Sequence, residues 1–118
     1  MTDAEMKEYV DTEKALARIR GNNKLFKTLL THFLATQSQF DQLKQEVAAN
    51  DREAAAKSVH ALKGVSANLS MTRLYELCLT FEALLKSEDD ATEAFAAYEA
   101  TYGKTIECVN TLLKTLPA

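Results

Sequence analysis

Residues 51–87 read DREAAAKSVHALKGVSANLSMTRLYELCLTFEALLKS, and the fold follows from them. After Asn50-Asp51 resets the chain, Ala55, Val59, Leu62, Val65, Ser66 and Leu69 recur at the three- and four-residue spacing of one buried helical stripe. Ser70 or Thr72 can cap a second helix, whose stripe is Leu74, Leu77, Cys78, Phe81, Leu84 and Leu85 and which ends at the acidic break Ser87-Glu88-Asp89-Asp90. So short a break between two amphipathic helices folds them back on each other as a hairpin.

The same rhythm extends outward in both directions. Upstream, the Asn22-Asn23 caps open a helix expected to run unbroken to about Ala49, with Phe26, Leu29, Leu30, Phe33, Gln37, Phe40, Leu43 and Val47 on its apolar face. Before it, residues 11–20 form a short helix capped by Asp11 or Thr12, in contact through Leu16 and Ile19 and stopped by Gly21. Downstream, Asp90 and Glu93 have capping-box spacing, and Phe95, Tyr98, Tyr102, Ile106, Val109, Leu112 and Leu116 continue the pattern through Gly103. The expected fold is all-α: an antiparallel up-down four-helix bundle with an additional short N-terminal helix, in a single domain over residues 1–118.

Composition agrees, with three glycines, one proline and 47% hydrophobic residues, enough for one core without disulfides. Cys78 and Cys108 lack partners at metal-ligand spacing and the first residues lack an apolar signal core, so a reduced, cytoplasmic setting is expected. No uncharged apolar run approaches the roughly 20 residues of a membrane span. A net charge of −3 gives no general attraction to nucleic acid. Cys78 reads as a small core residue, Cys108 as a core-edge one and His32 as a boundary histidine.

One histidine does not belong to the core. At 100° per residue, His60 lies about 160° from Leu62, and Lys57, Lys63 and Gly64 share its outer face with Ala56 and Ala67 nearby. Lysine cations favour a neutral, nucleophilic ring nitrogen and can face the charge of a phosphoryl group placed on it. Glycine inside a helix costs about 1 kcal/mol relative to alanine, and on an outer face its return is room for another protein. Glu82 lies as far beyond the turn near Ser70 as His60 lies before it, so its carboxylate is expected to reach the imidazole's other nitrogen.

The run His60-Ala61-Leu62-Lys63-Gly64-Val65-Ser66-Ala67-Asn68-Leu69, followed by Leu74, Cys78 and Glu82, resembles the histidine-containing phosphotransfer (HPt) family of two-component phosphorelays. That resemblance implies a phosphorelay intermediate in which His60 accepts a phosphoryl group from an aspartyl phosphate on a receiver domain and passes it to another receiver. It implies that Lys63 steadies the phosphoryl group, that Gly64 clears the docking surface and that Ser66 permits close helix packing. Lys57, Ala56 and Ala67 are expected to meet the partner. The implied partners are receivers of response regulators and hybrid sensor kinases. The magnesium would belong to the receiver, and this chain would need no cofactor and have no kinase activity of its own. A monomeric, free-standing relay is the expectation. The family usually ends this helix with Leu-Gly, where this chain has Leu69-Ser70. Two other readings stand beside the relay: an adaptor that binds receivers without accepting phosphate, and a bundle using His32 and His60 as haem or metal ligands, which would need both to point inward.

Overall fold

The computed structural model describes residues 1–117; Ala118, the end of the expected domain, lies outside them. Every regular element among the described residues is a helix: α1 (Asp3–Tyr9), α2 (Thr12–Arg18), α3 (Asn23–Leu34), α4 (Gln37–Ala48), α5 (Arg52–Asn68), α6 (Thr72–Ser87) and α7 (Thr92–Thr115). In this helical bundle, α5 packs between α4 and α6, α7 packs on α6 and α3, and α1 lies across α6 and α7. Phe26, Leu30, Phe33, Val59, Leu62, Leu74, Phe81, Tyr98 and Val109 are fully buried in one core. Each of the aliphatic and phenylalanine side chains contributes about 1.5–3 kcal/mol.

The helix starts follow local chemistry. The side chains of Asp11, Asn22 and Asp51 accept from the backbone N–H groups of Lys14, Leu25 and Ala54, satisfying donors a first turn leaves free. The short N-terminal helix is Thr12–Arg18 rather than residues 11–20, and α1 precedes it. A Thr2–Glu5 capping box opens α1. The start of α7 departs from expectation, because Asp90 accepts from the N–H and hydroxyl of Thr92 and forms no capping box with Glu93.

The helix expected over residues 22–49 is broken at Ala35-Thr36. There the N–H groups of Ala35 and Thr36 turn to the carbonyls three residues back, His32 and Phe33, which tightens the chain. The Thr36 hydroxyl donates to the Phe33 carbonyl at 2.6 Å and therefore accepts from the Tyr102 hydroxyl at 2.7 Å. Thr36 thus takes the inward place assigned to Gln37, which is exposed. Phe40 stacks on Tyr102 at 4.3 Å between ring centroids, joining α4 to α7.

The α5–α6 hairpin is held at both ends. At the open end, the Arg52 guanidinium donates to the carbonyls of Leu84 and Leu85 in the last turn of α6 and of Asp89 just beyond it. At the closed end, Met71 N–H reaches Ser66 O and Ser70 N–H reaches Ala67 O, a Schellman motif whose pivot is Ser70 at φ +54°. Neither Ser70 nor Thr72 caps α6: Met71 holds that position, with no side-chain bond. The Ser70 hydroxyl is buried without a partner. A side chain in the left-handed region costs about 1 kcal/mol that glycine does not incur. Ser70→Gly is therefore expected to stabilise the fold by about 1 kcal/mol, read as a higher urea midpoint; an unchanged or lower midpoint would contradict this.

Candidate functional site

Ser66 is fully buried on the side of α5 that faces α6, its hydroxyl donating to the Leu62 carbonyl at 2.6 Å and 4.0 Å from the Cys78 sulfur. Six residues before Ser66, His60 on α5 lies level with Glu82 on α6, and His60 Nδ1 lies 3.0 Å from Glu82 Oε2. The imidazole side chain is 67% exposed while the Glu82 side chain is only 8% exposed. The expected equal distances of His60 and Glu82 from the turn correspond to a direct contact.

Glu82 is gripped by three groups. Lys63 Nζ donates to Oε1 at 2.7 Å, and Lys86 Nζ lies 3.2 Å from Oε2, the oxygen that also faces His60. Burial disfavours the charged carboxylate, but the bonds from Lys63, Lys86 and His60 outweigh it and hold the Glu82 carboxyl down at about 2. The reciprocal bond from Glu82 raises the Lys63 ammonium above its ordinary value, against its own desolvation.

These charges fix the imidazole. An ionised carboxylate can only accept, so Nδ1 must carry the proton and donate it to Glu82. In the neutral ring the unprotonated nitrogen is then Nε2, with its lone pair directed away from the carboxylate on an exposed side chain. That arrangement supplies an oriented neutral nucleophile with two ammonium groups close by.

The remaining expected site residues divide. Gly64 is exposed on the same face, and a Cβ added there would meet nothing within 4 Å. Ala67 is half-buried, and its carbonyl accepts from Arg18. Lys57 is exposed but turned to Glu53 at 3.7 Å, one turn back along α5. Ala56 is 8% exposed and packs with the core, and together with Leu85 it also lines the groove beside the imidazole. Beside the imidazole runs a groove of about 740 Å³ formed by the N-terminal half of α5 and the C-terminal half of α6. Sequence reasoning missed Lys86, although its spacing of four from Glu82 was the signal for a same-helix ion pair.

A family model, the Hpt domain, matches residues 28–116. The chain belongs to the Hpt domain family. Members of that family are helical bundles that act in two-component phosphotransfer and interact with receiver domains of response regulators. Neither the curated proteins nor the solved structures include a significant match to this Hpt domain. The family match begins inside α3, so α1 and α2 lie outside it.

His32 and His60 are both exposed, which removes the inward-pointing pair that a haem or metal bundle requires. Among the described residues no group of three or more His, Cys, Asp or Glu is placed to hold a metal ion. Among the described residues no helix is long and apolar enough to cross a membrane.

Proposed function

We propose that this Hpt domain is a phosphorelay intermediate and that His60 Nε2 carries the phosphoryl group. The observation that carries the reading is the contact of an exposed imidazole with a buried, ionised carboxylate at 3.0 Å. A docked receiver presents its aspartyl phosphate in line with Nε2. The N–P bond forms as the acyl O–P bond breaks, and the aspartate carboxylate leaves with the bonding electrons. The Nδ1 proton stays on the ring, facing Glu82. A second receiver reverses the step, its aspartate displacing the imidazole.

No proton has to move, so the work of the site is positioning and charge compensation. Glu82 keeps Nε2 free and turned outward. Lys63, with a side chain only 21% exposed, supplies fixed positive charge beside the incoming phosphoryl group. Lys57 and Ala67 lie where the partner's edge would meet α5. The magnesium that compensates charge in the transition state belongs to the receiver, and the Hpt domain acts as a cytoplasmic monomer without a cofactor or kinase activity of its own.

Incubation with a panel of phosphorylated receiver domains tests this reading. Transfer of label to the chain, stable in alkali and lost in acid, is the expected result. A receiver that binds and leaves the chain unlabelled would replace the relay with the adaptor.

Gly64 gives a sharper test of docking. Because a side chain there meets nothing inside the molecule and glycine costs about 1 kcal/mol in a helix, Gly64→Gln is expected to raise thermal stability. The same side chain would stand in the receiver's path, and transfer should slow about tenfold or more. A variant that is more stable and transfers at the unaltered rate would place the docking surface elsewhere.

A further inference from the structure

Glu82 Oε2 is shared by two donors, His60 Nδ1 at 3.0 Å and Lys86 Nζ at 3.2 Å. The ammonium and the ring are therefore no further apart than those two bonds placed end to end. Lys63 and Lys86 grip the same carboxylate but differ in how firmly they are held. Lys63 has Oε1 to itself at 2.7 Å and is 21% exposed, whereas Lys86 divides Oε2 with the ring at 3.2 Å and is 65% exposed. Lys63 is the anchored cation and Lys86 the one that can leave.

The groove beside His60 also contains Lys57, Arg52, Glu53 and Glu88. Lys57 faces Glu53, and Arg52 is occupied by the three carbonyls at the end of α6. Lys86 is thus the groove's cation whose present partner is already held by two other donors. A phosphoryl group on Nε2 would offer three strong acceptor oxygens within the sweep of its four-carbon stem.

We infer that Lys86 is a second phosphoryl-binding residue: it rests on Glu82 Oε2 in the unmodified protein and moves to a phosphoryl oxygen once His60 is phosphorylated. This rests on the reading of His60 Nε2 as acceptor. Lys63 then stays on Oε1 and acts through space, and the Nδ1–H of His60 gains sole use of Oε2. Phosphorylation would in this way tighten the bond that orients the ring.

The test needs no receiver. Phosphoramidate transfers its phosphoryl group to an imidazole as its own P–N bond breaks and ammonia leaves. The full chain, Lys86→Gln and Lys86→Arg would be phosphorylated in this way and compared by phosphorus NMR across a pH series, with nitrogen NMR of the His60 ring before and after. An ammonium bonded to the phosphoryl oxygens favours their ionised form, so Lys86→Gln should raise the phosphoryl titration midpoint by about one unit. Lys86→Arg should restore it, and the ring before phosphorylation should show the Nδ1–H form in all three proteins, held by the Lys63-anchored Glu82.

An unmoved midpoint in Lys86→Gln, with His60 phosphorylated, would overturn the role of Lys86 and leave the relay intact. A ring pattern altered before phosphorylation would overturn it too, making Lys86 only a holder of Glu82. No phosphoryl group on His60 in the unaltered chain would remove both the relay reading and this inference.

Discussion

His60→Gln is expected to reduce phosphoryl uptake to background while leaving the bundle folded. The imidazole side chain is 67% exposed and contributes nothing to the core, and glutamine is the better helix former. Glu82 keeps its bonds from Lys63 and Lys86 when the ring is gone, so no buried charge is stranded. The variant should therefore match the parent in helical content and, within about 0.5 kcal/mol, in stability, yet take no label from any receiver that labels the parent. Uptake retained at the parent's rate would mean that another nucleophile carries the phosphate.

Glu82→Gln is expected to act on both chemistry and stability. A neutral amide can donate as well as accept, so Nδ1–H is no longer enforced, and part of the population presents a protonated Nε2 that cannot attack. Loss of a partner that orients an imidazole costs roughly ten- to a hundred-fold in function elsewhere, and a slowing of that order in receiver-to-His60 transfer is expected. The stability effect has a defined sign. Because the folded protein holds the Glu82 carboxyl at about 2 against an ordinary 4.5, its contribution is fully present above pH 4.5 and is lost as pH falls towards 2. The size is about 3 kcal/mol at 1.36 kcal/mol per unit. Urea midpoints taken across that interval should fall more steeply for the parent than for Glu82→Gln. Parallel curves would show that the carboxylate is not held in this way in solution.

The helical fold was legible in the sequence, and so was the side-by-side placement of the candidate-site residues, for a reason of distance along the chain. His60, Lys63 and Gly64 lie within two turns of one helix, where a 100° rotation per residue decides what faces out. Glu82 was reachable because the hairpin turn is tight and both residues lie equally far from it. Ser70 adopts the left-handed pivot that the family's usual glycine fills, so the departure from Leu-Gly falls on the cost of the turn.

What escaped depends on partners far away or on signals too weak to read alone. The break after Leu34 is set by Tyr102, 66 residues beyond Thr36, and nothing local announces it. Arg52 reads as an ordinary polar first-turn residue until α6 brings three carbonyls to it. The first helix, α1, carries a Thr2–Glu5 capping box but no fully buried residue, so it has no apolar stripe to find.

Nitrogen and phosphorus NMR of the His60 ring tests the central claim most directly. Before phosphorylation the ring should carry its proton on Nδ1, bonded to Glu82, with Nε2 unprotonated; after exposure to a phosphorylated receiver, the phosphorus should couple to Nε2. A ring protonated on Nε2 in the resting protein, or phosphorus attached to Nδ1, would contradict the account.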